Sequence, residues 1–173
     1  ATQGMERFPY NTLNAENPGI SGFGDLYQNI NQMNLFISRT LHTDVLTESA
    51  RNYYLGQVYG LRAYYMYQLY RSWGDVVFTE EPSLGFEVGK LAKAATPAAE
   101  IFEQVKKDIE SSLSYFGSDY TIKEKKSLWS KAATLMLKAD VYLWSAHRDG
   151  GEGDARTAKN ALVDIQNNIS RSN

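Results

Sequence analysis

Apolar residues recur along this chain at steps of three and four, the spacing that gathers side chains on one face of an α-helix. Between Gly24 and Leu41 the recurring positions are Leu26, Ile30, Met33 and Ile37. Between Glu48 and Trp73 two stripes run side by side: Tyr54, Val58, Leu61, Tyr65 and Leu69, and next to them Tyr59, Ala63, Met66, Tyr70 and Trp73. A helix apolar around so much of its circumference belongs between neighbours. Gly56 and Gly60, four apart, disfavour an isolated helix, so they predict a close approach by another backbone. Ile101, Val105, Ile109, Leu113 and Phe116 mark a third helix, with Thr96 placed to cap it, Pro97 at its first position, Glu103 and Lys107 one turn apart, and Gly117 at its end. A fourth runs from about Ser127 to His147 on Trp129, Ala132, Met136, Ala139, Leu143 and Ala146. After a flexible turn over Arg148 to Gly153, Asp154 caps a fifth, built on Ala158, Ala161, Leu162, Ile165 and Ile169.

The stretches between are irregular. Residues 1–21 hold Pro9 and Pro18-Gly19 with several Asn and no period, which reads as a loop or arm. Residues 74–95 offer at most one short strand, Val76-Val77-Phe78-Thr79, before Pro82, Gly85 and Gly89. Connections that long are uncommon in compact domains and are often functional. The expectation is therefore an all-α fold of about five main helices paired as tetratricopeptide-like hairpins, with long irregular connections, in a single domain over 1–173. Its parts are the arm (1–21), a first helical hairpin (22–73), an irregular connection (74–95) and the remaining helices (96–173). No clean 34-residue sequence period accompanies the arrangement.

Composition narrows the chemistry. Tyrosine is in excess, 12 against 7 Phe and 3 Trp, and with no Cys there is no thiolate metal site or cysteine nucleophile. A net charge of −2, and a basic run Lys123-Glu124-Lys125-Lys126 broken by an acid, argue against nucleic acid. His42 and His147 make no metal-ligand spacing, and Asp149, Glu152 and Asp154 miss that of a calcium loop, so no metal or cofactor is expected. Glu80-Glu81 form no recognisable acid/base pair for glycoside chemistry, and no catalytic constellation is evident. No apolar run approaches the length of a membrane span. Ahead of the first helix, Arg7-Phe8-Pro9-Tyr10-Asn11 brings together two rings, an amide and a guanidinium, the mixture that holds a sugar by stacking and hydrogen bonds. Phe8, Tyr10 and Asn11 are the candidate ligand-binding residues; the alternative is a loop whose rings pin it to the helices. Arg62, a charge in a densely apolar helix, and Asp75, just past its end, are expected to organise structure through buried hydrogen bonds and capping.

Several blocks, in order along the chain, resemble the SusD/RagB family of Bacteroidetes-type surface lipoproteins. They are Leu26 to Asn34 (LYQNINQMN), Leu61 to Val76 (LRAYYMYQLYRSWGDV), Thr96 to Phe102 with Asp108-Ile109-Glu110, and Lys131-Ala132-Ala133 through Lys138-Ala139-Asp140-Val141-Tyr142-Leu143. The resemblance covers roughly residues 24–147; Val77 departs from it, since the family commonly has Pro there. It implies a non-catalytic protein at the outer membrane that lies over a TonB-dependent transporter and captures polysaccharide or oligosaccharide, in some branches peptide, for import. Members are longer, with a loop-rich second half, and begin at a lipidated Cys that this sequence lacks. The chain would then be an N-terminal fragment or a naturally reduced version. Without that resemblance, the helices alone fit a tetratricopeptide-like adaptor that holds a protein or peptide.

Overall fold

The longest helix begins where the sequence supplies a cap. Thr47 is extended and its hydroxyl accepts the Ala50 N–H at 3.3 Å, satisfying one of the orphan donors of the first turn. The computed structural model describes residues 24–84, 93–124 and 127–169. Within them, five α-helices follow in order: α1 (Gly24–Leu41), α2 (Glu48–Trp73), α3 (Ala98–Phe116), α4 (Lys131–Ser145) and α5 (Gly151–Asn168). The bounds expected for α1 and α2 are the observed ones. Gly74 (φ 73°) and Gly117 (φ 52°) close α2 and α3, their N–H groups reaching the carbonyls of Tyr70 and Leu113. Both lie in the left-handed region, where a side chain would add strain.

The start of α3 departs from expectation. Thr96 does not cap it; its backbone pairs with Val76 in an isolated antiparallel bridge, which is all that forms of the strand expected over Val76–Thr79. Asp75 supplies the cap from a distance, its carboxylate accepting the Ala98 N–H at 2.8 Å, and Pro97 stands just outside the helix. On the surface of α3, Glu103 pairs with Lys106 rather than with Lys107, which reaches Glu80 at 2.9 Å.

α4 starts at Lys131 rather than near Ser127, because Ser130 is extended and its hydroxyl accepts the Ala133 N–H; Trp129 therefore precedes the helix. No flexible turn separates α4 from α5. Ser145 runs into one π-helical turn, Ala146–Gly150, and Gly151 (φ 54°) starts α5 directly. Asp154, expected as the cap, sits inside the first turn of α5 and folds over Gly150, where a Cβ would meet its Oδ2 at 2.0 Å. Its charge still complements the positive end of the helix.

The core lies where α2, α3 and α4 meet. Ala63, Met66, Tyr67 and Leu69 pack with Ile101, Val105 and Ile109 and with Leu137 and Val141, and Ile30 adds the contribution of α1. Leu135, Ala139, Ala158 and Ala161 form a second cluster that joins α4 and α5 as a hairpin. Tyr120 donates to Asp164 at 2.6 Å, and this bond to a carboxylate pushes its hydroxyl up to about 12.

Helical period alone picks some stripes wrongly. On α1 the buried face includes Asn34 and Thr40 as well as Ile30 and Ile37. On α2 Tyr54 is exposed, while Leu55, Arg62 and Tyr67 are buried. On α4 Met136 and Leu143 face outward, 54% and 51% exposed, because the helix is apolar on both sides and its neighbours cover the side of Leu135, Leu137 and Val141. Gly56 and Gly60 make room for side chains and not for a backbone: a Cβ on the first would lie 3.0 Å from the Phe116 ring, and one on the second 2.2 Å from Trp129 Nε1. Among the described residues no helix is long and apolar enough to cross a membrane.

Candidate ligand-binding cleft

Four residues of α1, namely Tyr27, Gln28, Asn31 and Asn34, fall at steps of one, three and three, so one face of the helix carries a ring and three amides. That face meets the connection after α2. Asn31 grips it through both ends of its amide, Nδ2 donating to the Ser83 carbonyl at 3.2 Å and Oδ1 accepting the Ser83 N–H at 2.7 Å. Asn34 Nδ2 donates to the Thr79 carbonyl at 2.6 Å. The Tyr27 hydroxyl accepts the Val77 N–H; burial pushes its pKa up and outweighs that bond. The result is a cleft of about 330 Å³ between α1 and residues 77–83, with Tyr27, Ile30, Val77 and Phe78 as its apolar wall and Gln28 and Lys93 among its polar lining.

A buried polar network fixes this wall from behind. The Arg62 guanidinium makes a two-pronged contact with Asp108, Nε to Oδ2 and Nη2 to Oδ1, both at 2.7 Å, and Nη1 donates to Asn34 Oδ1 at 2.8 Å. Arg62 and Asp108 are 2% and 0% exposed, so neither could keep its charge without the other. Burial pushes the Asp108 carboxyl up, opposed by hydrogen bonds from Arg62 and Gln104. Asn34 thus links the ion pair to the cleft wall, and Arg62 behaves as the structural residue that the sequence leads one to expect.

Glu80 anchors the same wall at the surface. It accepts from Lys107 at 2.9 Å and Gln104 at 3.0 Å, and lies 3.7 Å from Arg62. Burial alone would raise its pKa; Lys107, Arg62 and Gln104 outweigh it and hold the carboxyl below its usual value. A depressed carboxylate stabilises the fold above its unfolded pKa and loses that contribution as pH falls through the folded one. Replacing Glu80 by Gln is expected to lower the urea midpoint slightly at pH 7, the side chain being half exposed, and to bring the two proteins together as pH falls below about 4.5. Equal midpoints at pH 7 would contradict the anchoring.

Phe8, Tyr10 and Asn11 lie outside the described residues. Gly24, the first residue of α1, lines the cleft. The cleft residues went unnoticed as a site in the sequence because they meet across 45 to 52 positions. The amides of the LYQNINQMN block, spaced along one helix face, were the available signal. Among the described residues no group of three or more His, Cys, Asp or Glu is placed to hold a metal ion. The cleft can stack a flat apolar surface and hydrogen-bond a polar rim.

Comparison with known proteins agrees with this architecture. The SusD-like protein P38 of Formosa agariphila is 34% identical over 113 residues, which are 64% of this chain and 20% of that protein. The solved structure of B. fragilis NanU is 50% identical with a TM-score of 0.88, the match covering 100% of this chain and 34% of that one. A SusD superfamily protein from Bacteroides vulgatus is 49% identical with a TM-score of 0.85, over 96% of this chain and 33% of that one. The chain thus spans about a third of the length of these two solved proteins and a fifth of P38. Residues 9–143 match the sequence profile of a SusD-like family described as starch-binding and associating with the outer membrane, and the chain belongs to that family.

Proposed function

We propose that this chain is the helical part of a non-catalytic, lipid-anchored surface protein that captures glycan for import through a TonB-dependent transporter. The observation that carries the reading is the cleft between α1 and residues 77–83, ring-walled and amide-lined, in a member of a starch-binding family. Asn31 and Asn34 are occupied in holding the wall, so Gln28, exposed on α1, is the amide free to meet a sugar hydroxyl. Phe8, Tyr10 and Asn11, which precede α1, would add rings and a further amide to the same ligand.

Titration with maltoheptaose, and with a panel of other oligosaccharides, tests this. Gln28→Ala is expected to weaken binding roughly three- to tenfold, the worth of one hydrogen bond, without changing the melting temperature. Absence of binding to every glycan, together with clear peptide binding, would replace the reading with the adaptor one. That second reading draws on the outer face of α4, where Met136 and Leu143 are apolar and uncovered.

A further inference from the structure

A second cleft lies at the opposite end of the helix pack. α2 and α3 run antiparallel, as the contacts Gly56 with Phe116, Arg62 with Asp108 and Tyr70 with Phe102 require, so the start of α2 meets the end of α3 far from the Val76–Thr96 bridge. Between them is a space of about 430 Å³, lined by Ser49, Asn52 and Tyr53 on one side and Ser114, Tyr115 and Ser118 on the other. That volume falls in the range of ligand clefts, roughly 300–1,000 Å³.

The polar groups here have no structural employment. None of the side-chain hydrogen bonds among the described residues involves Ser49, Asn52, Ser114 or Ser118. The rings, by contrast, are fixed in advance. Tyr115 is backed by Tyr59, stacked at 5.6 Å and 10°. Tyr53 is held edge-on against Phe116 at 6.3 Å, with the Lys123 ammonium 3.6 Å from its ring centre. Rings placed before a ligand arrives, beside unengaged hydroxyls and an amide, suit a molecule with flat apolar faces and many hydroxyls. The charge of the lining narrows the class. Its two acids, Glu48 and Asp119, are offset by Lys123 over the Tyr53 ring and Lys131 bonded to the Gly117 carbonyl; hydrogen bonds from Thr121, and then these lysines, hold the Asp119 carboxyl below its usual value. Carboxylates accept from sugar hydroxyls, and a site whose charges balance gives an ionised sugar no advantage over a neutral one.

We propose that this second cleft binds a neutral oligosaccharide, giving the chain two glycan contacts at opposite ends of its helices. The inference rests on the reading of the chain as a glycan-capture protein, and an experiment that reports each end separately keeps the two apart. Backbone amide NMR spectra of the chain are recorded during titration with maltoheptaose, laminarihexaose, cellohexaose and the acidic trigalacturonate. At least one of the three neutral sugars is expected to shift the amides of residues 48–53 and 114–119, and trigalacturonate to shift them no more strongly. The double variant Asn52→Ala, Ser114→Ala is expected to weaken that set of shifts at least fivefold while leaving the melting temperature and any shifts at residues 27–31 unchanged. No shifts at 48–53 and 114–119 with any neutral sugar, shifts there with trigalacturonate alone, or shifts indifferent to the double variant would overturn the second cleft. Shifts at that end with none at residues 27–31 would refute the first cleft and leave this one standing.

Discussion

Replacing Arg62 by Ala is expected to lower the unfolding free energy by about 3–5 kcal/mol, measured by urea denaturation at pH 7. The size follows from what is left behind. Asp108 is fully buried and takes both prongs of the guanidinium, so its carboxylate would remain in the core with Gln104 as its one neutral donor. Asn34 Oδ1 would lose its donor as well. Because Asn34 also holds the Thr79 carbonyl, the damage should reach the cleft wall. A control separates loss of an ion pair from loss of packing. In the double variant Arg62→Met, Asp108→Leu both charges are gone and volume is roughly kept, and buried pairs replaced in this way are often neutral or better. That variant is expected to recover most of the stability, yet to bind glycan at the first cleft more weakly than the parent. A loss below about 1 kcal/mol for Arg62→Ala, or no recovery in the double variant, would show that the pair is not what holds this core together.

How much of this was legible in the sequence depends on the range of the interaction. Gly74 and Gly117 act on their own turns, and the ends they fix are local features that the sequence states outright; the Thr47 cap is equally local but emerges only in the structure. Arg62 and Asp75 could be assigned to structure on general grounds, a charge inside an apolar helix needing partners and an acid near a helix end serving as a cap. Their partners could not be named, since Asp108 is 46 positions from Arg62 and Ala98 is 23 from Asp75. The same limit hid the cleft, whose two walls belong to different elements. α4 failed differently: apolar residues surround it, so its period is satisfied by two stripes, and only the positions of α2, α3 and α5 decide which is buried. At Arg148 to Gly153 glycine misled, because a left-handed residue can link two helices directly through a π-helical turn as readily as it can open a loop.

Gly60→Ala puts the packing argument to its most direct test. In a solvated helix the change would be favourable by about 1 kcal/mol. Here the added Cβ would lie 2.2 Å from Trp129 Nε1 and 2.8 Å from Thr134 Oγ1, distances at which the indole must move. The indole is not free to move without loss, since Nε1 donates to Thr134 Oγ1 at 2.8 Å. That hydroxyl shares a further hydrogen bond with Ser112 Oγ at 2.8 Å, and Ser112 in turn donates to the Gly56 carbonyl at 2.6 Å. Overpacking of a core costs about 1–3 kcal/mol and an unsatisfied buried polar group about 1–3 more, so the gain in propensity is outweighed and a net loss of roughly 1–5 kcal/mol is expected. Gly56→Ala is the internal comparison. The three atoms nearest its Cβ would all belong to the Phe116 ring, at 3.0–3.1 Å, and a shift of that side chain by a few tenths of an ångström relieves the contact. Propensity and crowding should then nearly cancel, leaving a change within about 1 kcal/mol of zero. Urea midpoints of the two variants should therefore rank far apart, although both introduce the same methyl four residues apart on one helix. Adding Trp129→Ala to each isolates the cause: the indole's removal should offset much of the cost of Gly60→Ala and leave that of Gly56→Ala unchanged. Equal effects of the two alanines, or additivity of Gly60→Ala with Trp129→Ala, would mean that the indole does not require the gap at residue 60.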